Sequence, residues 1–451
     1  MTAPTLAYDN VLSRVQITGA SPVDSFTRTV ASGWGSTSVG SFPWTTSGGV
    51  AGDYSVNGTI GIHSVGAVNS TRRTLLATVS LLNPTAVIQT KTGAGIFAVG
   101  ARIEAALLLR YIDVNNYYSA HLFFNTDQSM TVRLFKRVAG TPVFLTETVV
   151  AGLTHTSDTF FSLKFEVVGS QLRARAWQST LTEPTVWHAE FTDASISTAG
   201  QVGVESLLAT GNTNTLPVDL SRDSFSVTVE VERSTDQVRW TAIRGLSALL
   251  GAFVVDDYEF AANVTNYYRA AGETANITPN MTDVWLKSLA RPFLNRKVTV
   301  VDWSDVERSS RSGVFPIVGR SFPVAVTDLH GSRRWTLDVL AQTVQGATDL
   351  DLLLSTGEVQ FVHVPAAERV PGGYVALGDT SERRPGRRSI RRVFSLPLTE
   401  VAAPGPDVIP AVGLWSTVVN TYSTWSAVLA AHSTWNDVLQ LVGSPADIVV
   451  P

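Results

Sequence analysis

The stretch Leu107–Phe124, LLLRYIDVNNYYSAHLFF, decides the fold that we expect for the largest part of this chain. Two β-prone runs, LLLRYI and YYSAHLFF, flank the polar segment DVNN. Two such runs joined by a short Asp/Asn turn are typical of a hairpin in an antiparallel sheet. Side chains alternate between the two faces of a strand, so only one of Tyr117 and Tyr118 can point outward.

Similar runs occur on both sides of this hairpin, from Asp24 to about Ser224. They are separated by Gly, Asn, Asp and Ser at intervals of about 10–15 residues, which suits strands and turns without helices. Further examples are MTVRLFKRV, PVFLTETVV, FFSLKFEVVGSQLRARAW and VWHAEF. The sequence therefore predicts an antiparallel sandwich over residues 24–224.

The flanking segments predict a second, smaller sandwich that is discontinuous in sequence, formed by residues 1–23 and 225–280. VTVEVERS and VRWTAIRG alternate around the turn residues Thr235–Gln237 and predict a hairpin. The isolated strand Val11–Ala20 would leave a row of unpaired backbone donors and acceptors unless another strand joined it. We therefore expect Val11–Ala20 to pair antiparallel with Phe225–Arg233, which places the large sandwich as an insertion in the small one.

Residues 281–401 predict a β-barrel or sandwich with one helix. Its strands include RKVTVVDW, WTLDVLAQ and VFSLPLTEV, and the helix is expected at TDLDLLLST. Thr348 is the predicted N-cap of that helix, and Gly357 lies just past its last turn.

A proline-rich linker, residues 402–410, precedes a tail over residues 411–451 that contains a ten-residue repeat. In each repeat an indole precedes an apolar pair at helical spacing, which predicts short helical turns with a face of indoles. Exposed indoles are typical of interfaces, so we expect the tail to pack against a neighbouring subunit or another protein. The alternative is a helical cap over its own barrel. The three indoles are those of Trp415, Trp425 and Trp435.

The composition excludes several classes of protein. The 451 residues are 44% hydrophobic and 16% charged, as expected of a chain that buries a large core. A formal net charge of -4 disfavours nucleic-acid binding, and the absence of cysteine excludes disulfides and thiolate metal sites. The first residues show no leader and no apolar stretch is long enough to span a membrane, so we expect synthesis in the cytoplasm and no membrane span.

The residue types that catalysis needs do not occur in the expected patterns. The sequence has no Glu-x-Asp-x-x-Glu pair of carboxylates, no His-Glu-x-x-His and no phosphate-binding loop. We therefore expect no enzyme, no cofactor and no assigned metal. Asp24 and Asp223 could contribute oxygens to a calcium ion, or equally cap turns.

The candidate binding residues are aromatic residues of the predicted sandwich, because aromatic faces stack on the apolar face of a sugar ring. Most aromatic residues in a sandwich belong to the core, so the alternative for each candidate is a structural role in the core. The candidates are Tyr111, Tyr118, His121 and Trp177.

A separate arginine cluster in ERRPGRRSIRR could contact an acidic neighbouring subunit, or form a solvated loop. Its interface candidates are Arg383, Arg384, Arg387 and Arg388.

Three segments resemble known families. DSFTRTVASGWGSTSVGSFPWTTSGG and the hairpin resemble a concanavalin A-like (laminin G-like) jelly roll over residues 24–228. VEVERSTDQVRWTAIRG and DYEFAANVTNYYRA resemble a fibronectin type III-like module, with Trp240 as its core tryptophan and Tyr267 or Tyr268 as its late-strand tyrosine. The jelly-roll motif is matched at Arg110, Tyr111, Asp113, Asn116, Tyr117 and Tyr118.

LARPFLNRKVTVVDWSDVE, GYVALGDTSERRPGRRS and the repeated STW units resemble minor (distal) tail proteins of tailed phages that infect actinobacteria. This resemblance implies a virion protein at the tail tip, made in the host cytoplasm and assembled with other tail proteins as a homo-oligomeric ring of three or six. Its jelly roll would face outward toward a host cell-wall glycan. The alternative is a cell-surface or secreted glycan-binding protein of an actinobacterium, without catalysis.

Overall fold

The computed structural model describes residues 3–404, except 245, 247 and 327, together with residue 427. Within this part of the chain the fold is mainly β, with a sandwich, a closed barrel and one α-helix, so the predicted fold class is confirmed. The tail with its indoles, residue 427 excepted, lies outside the described residues. What was expected of it stays a prediction: helical turns, and an interface at Trp415, Trp425 and Trp435.

Two strands precede the sandwich: β1 (Thr5–Asp9) and β2 (Arg14–Ala20). The sandwich strands then follow in chain order: β3 (Val23–Asp24), β4 (Thr29–Val30), β5 (Trp44–Ser47), β6 (Tyr54–Asn57), β7 (Gly61–Val65), β8 (Arg72–Leu81), β9 (Thr85–Thr92), β10 (Ile103–Asp113), β11 (Asn116–Phe124), β12 (Ser129–Val138), β13 (Thr141–Thr154), β14 (Phe161–Val168), β15 (Gln171–Gln178), β16 (Ala189–Thr192), β17 (Gly200–Leu208) and β18 (Val218–Thr228). A short 3₁₀ turn, Ala51–Asp53, precedes β6.

These strands form two antiparallel sheets. One has seven strands in the order β13-β12-β11-β10-β17-β8-β5. The other has the order β16-β15-β14-β9-β18-β7-β6-β4, with β3 added beside β18. Apolar residues that alternate along the strands, such as Phe124, Phe161, Phe165 and Trp34, fill the space between the sheets and are buried. One face of the seven-stranded sheet points away from this core.

Two small sheets combine β1 and β2 with strands that follow the sandwich. Their strands are β19 (Val231–Ser234), β20 (Thr241–Ala242), β21 (Ala252–Asp257), β22 (Asn266–Ala270) and β23 (Glu273–Ile277). They form one sheet in the order β20-β19-β22-β23 and a second in the order β1-β2-β21. The expected hairpin is present as β19 and β20, in which Arg233 pairs with Thr241.

The predicted pairing of the strand Val11–Ala20 is wrong. β2 pairs antiparallel with β21, from Val15 opposite Asp257 to Ala20 opposite Ala252, and not with Phe225–Arg233. Both sides of β18 are already occupied at Phe225–Thr228 by β3 and β9, so that segment has no free edge to offer. β18 also runs across the predicted boundary at residue 224.

The two aromatic residues expected in the core of this module differ in burial. Tyr268 is fully buried, and its hydroxyl donates to an Asp257 carboxylate oxygen at 2.8 Å. Trp240 is only half-buried and lies under the Arg269 guanidinium, 4.3 Å from its carbon atom, so its expected core position is wrong. The short strand β20, which follows Trp240, is exposed and offers no core to receive the indole.

The last region is a closed six-stranded barrel, in the order β25-β29-β33-β31-β30-β24 and back to β25. Its elements are β24 (Val284–Ser288), a 3₁₀ turn (Pro292–Leu294), β25 (Arg296–Trp303), β26 (Glu307–Arg308), β27 (Gly313–Phe315), β28 (Val324–Val326), β29 (Arg333–Ala341), α1 (Val344–Leu354), β30 (Gln360–His363), β31 (Gly373–Leu377), β32 (Ser381–Arg383) and β33 (Arg392–Glu400). Among the described residues β27 and β28 pair only with each other, in a segment we call the apolar arm, residues 309–332.

The helix begins earlier than expected. Its N-cap is Thr343, whose hydroxyl accepts a hydrogen bond from the Gly346 backbone N–H, and not Thr348. Thr348 lies inside the helix and donates to the Val344 carbonyl oxygen instead. Thr348 precedes an acidic first turn and an apolar run, whereas Thr343 is followed by Val-Gln-Gly, so the local pattern favoured the wrong threonine.

Buried polar contacts join the barrel to the small sheets. The Lys287 side chain on β24 is fully buried and donates to the backbone oxygens of Ser13 at 2.6 Å and Tyr258 at 2.8 Å. Its third neighbour is the Nδ1 atom of His363, at 2.8 Å. Burial holds the pKa of Lys287 well below its ordinary value.

Candidate functional site

The residues of the R-Y-x-D-x-x-N-Y-Y motif mostly build the sandwich. The Arg110 side chain is buried and donates to the carbonyl oxygens of Leu82, Ile196 and Gly169, at 2.6, 2.7 and 2.8 Å. Asp113 accepts hydrogen bonds from Asn116 Nδ2 and from the Asn115 backbone N–H, which closes the β-turn between β10 and β11. These residues of the motif therefore stabilise loops of the sandwich, and the motif indicates the fold.

Tyr118 belongs to the core, so its predicted role as a ligand-facing residue is wrong. The ring is fully buried, and the hydroxyl donates to Asp193 at 2.7 Å and accepts from the Ile196 backbone N–H at 3.0 Å. Burial and the Asp193 carboxylate raise the pKa of Tyr118 to about 12. Alternation along β11 then places Tyr117 on the opposite, open face.

Register brings four further groups onto that open face of the seven-stranded sheet. His121 on β11 lies opposite Ala106 of β10, which lies opposite Glu205 of β17. Glu205 in turn lies opposite Arg73 of β8, and Tyr117 lies opposite Arg137 of β12. These side chains line one groove of about 220 Å³, which we call the open-face groove.

Aromatic and charged groups alternate at one end of this groove. Arg73 forms an ion pair with Glu205 and donates to the Tyr117 hydroxyl at 3.3 Å. The Tyr111 ring stacks on Tyr117 with centroids 5.3 Å apart, and both rings are almost fully buried. Arg137 completes this end, with its guanidinium carbon 5.9 Å from the Tyr117 centroid.

The middle of the groove carries a hydrogen-bonded chain. His121 Nδ1 lies 3.0 Å from a Glu104 carboxylate oxygen, and His121 Nε2 lies 3.1 Å from the Ser119 hydroxyl. Arg102 Nε lies 2.9 Å from the other Glu104 oxygen. Burial alone would raise the pKa of Glu104, but the hydrogen bond from His121 and the charge of Arg102 hold it below its ordinary value. Glu104 is therefore a carboxylate at neutral pH.

The far end of the face is a second hollow, of about 400 Å³. Phe123 forms part of its lining, with the guanidinium carbons of Arg102 and Arg133 at 4.2 and 4.8 Å from the ring centroid. Arg133 is paired with Glu147 of the edge strand β13. The open face thus presents a continuous row of planar donors, carboxylates and rings.

The structure brings together only part of the predicted binding set. His121 lines the groove and Tyr111 supports it, whereas Trp177 lies on β15 of the other sheet, opposite Ser162, on the far side of the molecule from the groove. Strand phase and sheet order, which separate Trp177 from His121, are not encoded in local spacing.

Several groove residues were missed by the sequence interpretation. Their shared signal is a charged residue inside an otherwise apolar strand, as in RIEAALLL, RRTLLA and GVESLL. Such residues are rarely buried without a partner, so they mark a face that is not core. The missed residues are Arg73, Arg102, Glu104, Arg137 and Glu205.

The remaining predicted sites are on the surface or already occupied. Asp24 accepts hydrogen bonds from Arg28, Ser38 and the Trp44 indole, and the described residues contain no group of three potential metal ligands. The arginine cluster is exposed, and one member, Arg383, lies 3.6 Å from Asp338. The other predicted interface arginines, also exposed, are Arg384, Arg387 and Arg388. No helix in the described part of the chain is long and apolar enough to cross a membrane.

Neither a protein-family model nor a curated protein matches this sequence. Similar solved structures include a carbohydrate-binding module, CBM66 from Bacillus subtilis, at 17% identity, covering 41% of this chain and 94% of that one with a TM-score of 0.28. The CBM2 module of the evolved Dit of Lactobacillus casei BL23 phage J-1 is 12% identical, with coverages of 47% and 96% and a TM-score of 0.33. A Bacillus licheniformis beta-glucanase is 10% identical, with coverages of 46% and 98% and a TM-score of 0.34. All three TM-scores are below 0.5, so the proposals below depend on the geometry of the site.

Proposed function

We propose that the open-face groove binds a glycan without cleaving it. The observation that carries this proposal is the row of planar hydrogen-bonding groups around Tyr117 and His121, which lines a groove about 220 Å³ in volume. Carboxylates and guanidinium groups that are held in place by each other offer acceptors and donors to sugar hydroxyls at fixed positions. The Tyr117 and Phe123 rings are almost fully buried and pack against these guanidinium groups, which helps to hold the donors in place.

The carboxyl groups of the groove suit ligand binding better than hydrolysis. Glycoside hydrolysis requires one of two carboxyl groups to be a proton donor, which is achieved by a raised pKa. The pKa of Glu104 is instead lowered, and the second carboxyl group, Glu205, is ion-paired with Arg73. Glu104 therefore serves as a hydrogen-bond acceptor, and the Glu205 carboxylate is already engaged by Arg73.

A matched pair of arginine variants tests the location of the site. Arg102 pairs with Glu104 and covers Phe123, while Arg173 on the other sheet pairs with Glu166 and covers Trp187. Their side chains are equally exposed, at 35% and 34%. The full chain is assayed on a glycan array and on purified actinobacterial cell-wall polysaccharide, with a reducing-end assay alongside.

We expect Arg102→Ala to weaken binding about tenfold or more, because it removes a donor and leaves the Glu104 acceptor without its guanidinium partner. Arg173→Ala and Trp177→Ala should stay within about twofold of the native protein. Loss of binding in Arg173→Ala or Trp177→Ala, with binding by Arg102→Ala unaffected, would indicate that the site lies on the other sheet. Release of reducing sugar would contradict the non-catalytic assignment.

We further propose that the chain is a subunit of a phage tail tip, assembled as a ring of three or six copies with other tail proteins. The sequence resemblance supports this proposal, and so does the apolar arm, in which β27 and β28 bury almost nothing. A two-stranded sheet is marginal by itself, and exposed apolar surface of this extent is typical of an interaction surface. Exposed apolar residues of the arm are Val314, Phe315, Ile317, Val318, Phe322, Val324, Val326 and Leu329.

Light scattering and electron microscopy of the full chain test the assembly. Combined Phe315→Ser and Phe322→Ser substitutions should shift the oligomer to monomer without changing the melting temperature, because neither ring is buried in the subunit. Phe191→Ser, at an exposed phenylalanine of β16, is the control and should leave assembly unchanged. A native protein that is a monodisperse monomer and absent from virions would contradict the proposal and favour the surface glycan-binding alternative.

A further inference from the structure

The charges of the open face are paired with one exception. Arg73 pairs with Glu205, Arg102 with Glu104, Arg133 with Glu147, and Lys136 at the edge of the groove with Asp193. The Arg137 guanidinium group has no carboxylate partner and no hydrogen bond among the described residues, and its Nε atom is buried without an acceptor.

The position of Arg137 makes this exception relevant to a ligand. Cross-strand pairing with Tyr117 places Arg137 at the groove wall, beside the pair formed by Arg73 and Glu205. The two guanidinium carbons lie 5.5 Å and 5.9 Å from the centroid of the same Tyr117 ring. Two cations and one carboxylate thus surround Tyr117, which leaves one positive charge in excess at this end of the groove.

A guanidinium group in this situation favours an anionic ligand. Its five N–H donors match two oxygens of a carboxylate or phosphate, and such charge-assisted pairs are about twice as strong as neutral hydrogen bonds. A half-buried donor without an acceptor has a free-energy cost that a bound oxygen removes.

We propose that the open-face groove selects an acidic glycan, whose anionic group binds Arg137 while the adjoining sugar extends along the groove toward His121. This inference rests on the proposed glycan-binding function and names the class of its ligand. The anion can be a uronate carboxylate or a phosphodiester, since both present the paired oxygens that a guanidinium group binds.

Calorimetric titration of the full chain with three probes tests the inference. The probes are galacturonate hexamers, the same hexamers methyl-esterified and therefore neutral, and glycerol phosphate oligomers. Arg137→Gln removes the charge, Arg137→Lys keeps the charge without the planar fork, and Arg173→Gln on the other sheet is the matched control. Melting temperatures identify any variant that fails to fold.

We expect the native protein to bind one acidic probe at least about tenfold more tightly than the neutral hexamer. Arg137→Gln should reduce that preference to about twofold or less, chiefly by weakening binding of the acidic probe, and Arg137→Lys should fall between. Preference for galacturonate over glycerol phosphate, or the reverse, identifies the source of the anion.

Two results would overturn the inference, and they differ in what else they affect. Equal binding of neutral and acidic hexamers, unchanged in Arg137→Gln, would refute acidic selection and leave the glycan-binding function standing. Binding of none of the three probes, together with no response on the glycan array, would refute the proposed function itself.

Discussion

Replacing Arg110 with methionine should destabilise the sandwich more than any exposed substitution, because this one side chain holds three loops. Its guanidinium group donates to the carbonyl oxygens of Leu82, Gly169 and Ile196 at 2.6–2.8 Å. Hydrogen bonds to a charged group contribute about 1.5–3 kcal/mol each, but two of the three carbonyls are partly exposed and can be rehydrated. The desolvation cost of the buried cation, which lowers the pKa of Arg110, also disappears.

These opposing effects leave an expected loss of about 3–5 kcal/mol in the free energy of unfolding of the sandwich. For a domain of this size the melting temperature changes by about 2–4 °C per kcal/mol, so calorimetry should show a decrease of about 10 °C. Amide hydrogen exchange should accelerate at the three loops first. Arg110→Lys, which keeps one donor direction, should fall between the two proteins.

An Arg110→Met protein that melts within about 2 °C of the native protein would refute the reasoning, since the three hydrogen bonds would then have no net value. Uniformly faster exchange across the sandwich, without preference for the loops, would contradict the proposed role as a tie between loops.

Three further predictions concern other parts of the chain. Thr343→Ala should lower the free energy of unfolding by about 1 kcal/mol, because it removes the N-cap of α1, whereas Thr348→Ala should lower it by much less. Equal losses in denaturant titrations would contradict the assignment of the cap. Burial lowers the pKa of His155 to about 4, so the unfolded chain takes up a proton first as the pH falls below about 6.5. Stability should therefore decrease between pH 6.5 and 4, by at most about 3 kcal/mol, and His155→Phe should remove that part of the pH dependence measured by thermal melting. Lys287→Ala should lower the free energy of unfolding by about 3 kcal/mol or more, because it leaves the Ser13 and Tyr258 carbonyls without donors. Limited proteolysis should then cleave near Ser13. Unchanged resistance to protease would show that the contact between the barrel and the small sheets does not depend on this lysine.

The sequence by itself determined the type of structure. Alternation over Leu107–Phe124 and its neighbours determined the strands, because a β-strand repeats every two residues and a buried face must be apolar. The Asp/Asn turn at Asp113–Asn116 and the hairpin at β19 and β20 followed from local turn chemistry. The sequence has no paired-carboxylate motif of the kind that glycoside hydrolysis uses, and the expectation that the chain is not an enzyme rests on that pattern.

Only the tertiary structure decided which face and which strand each residue meets. Alternation has two possible phases, so it could not place Tyr118 in the core and Tyr117 in the groove. Strand order is a long-range property, which is why β2 meets β21 and why Trp177 and His121 lie on different sheets. The groove joins residues that are far apart in the chain, at β8, β10, β11, β12 and β17, because antiparallel pairing places those strands side by side.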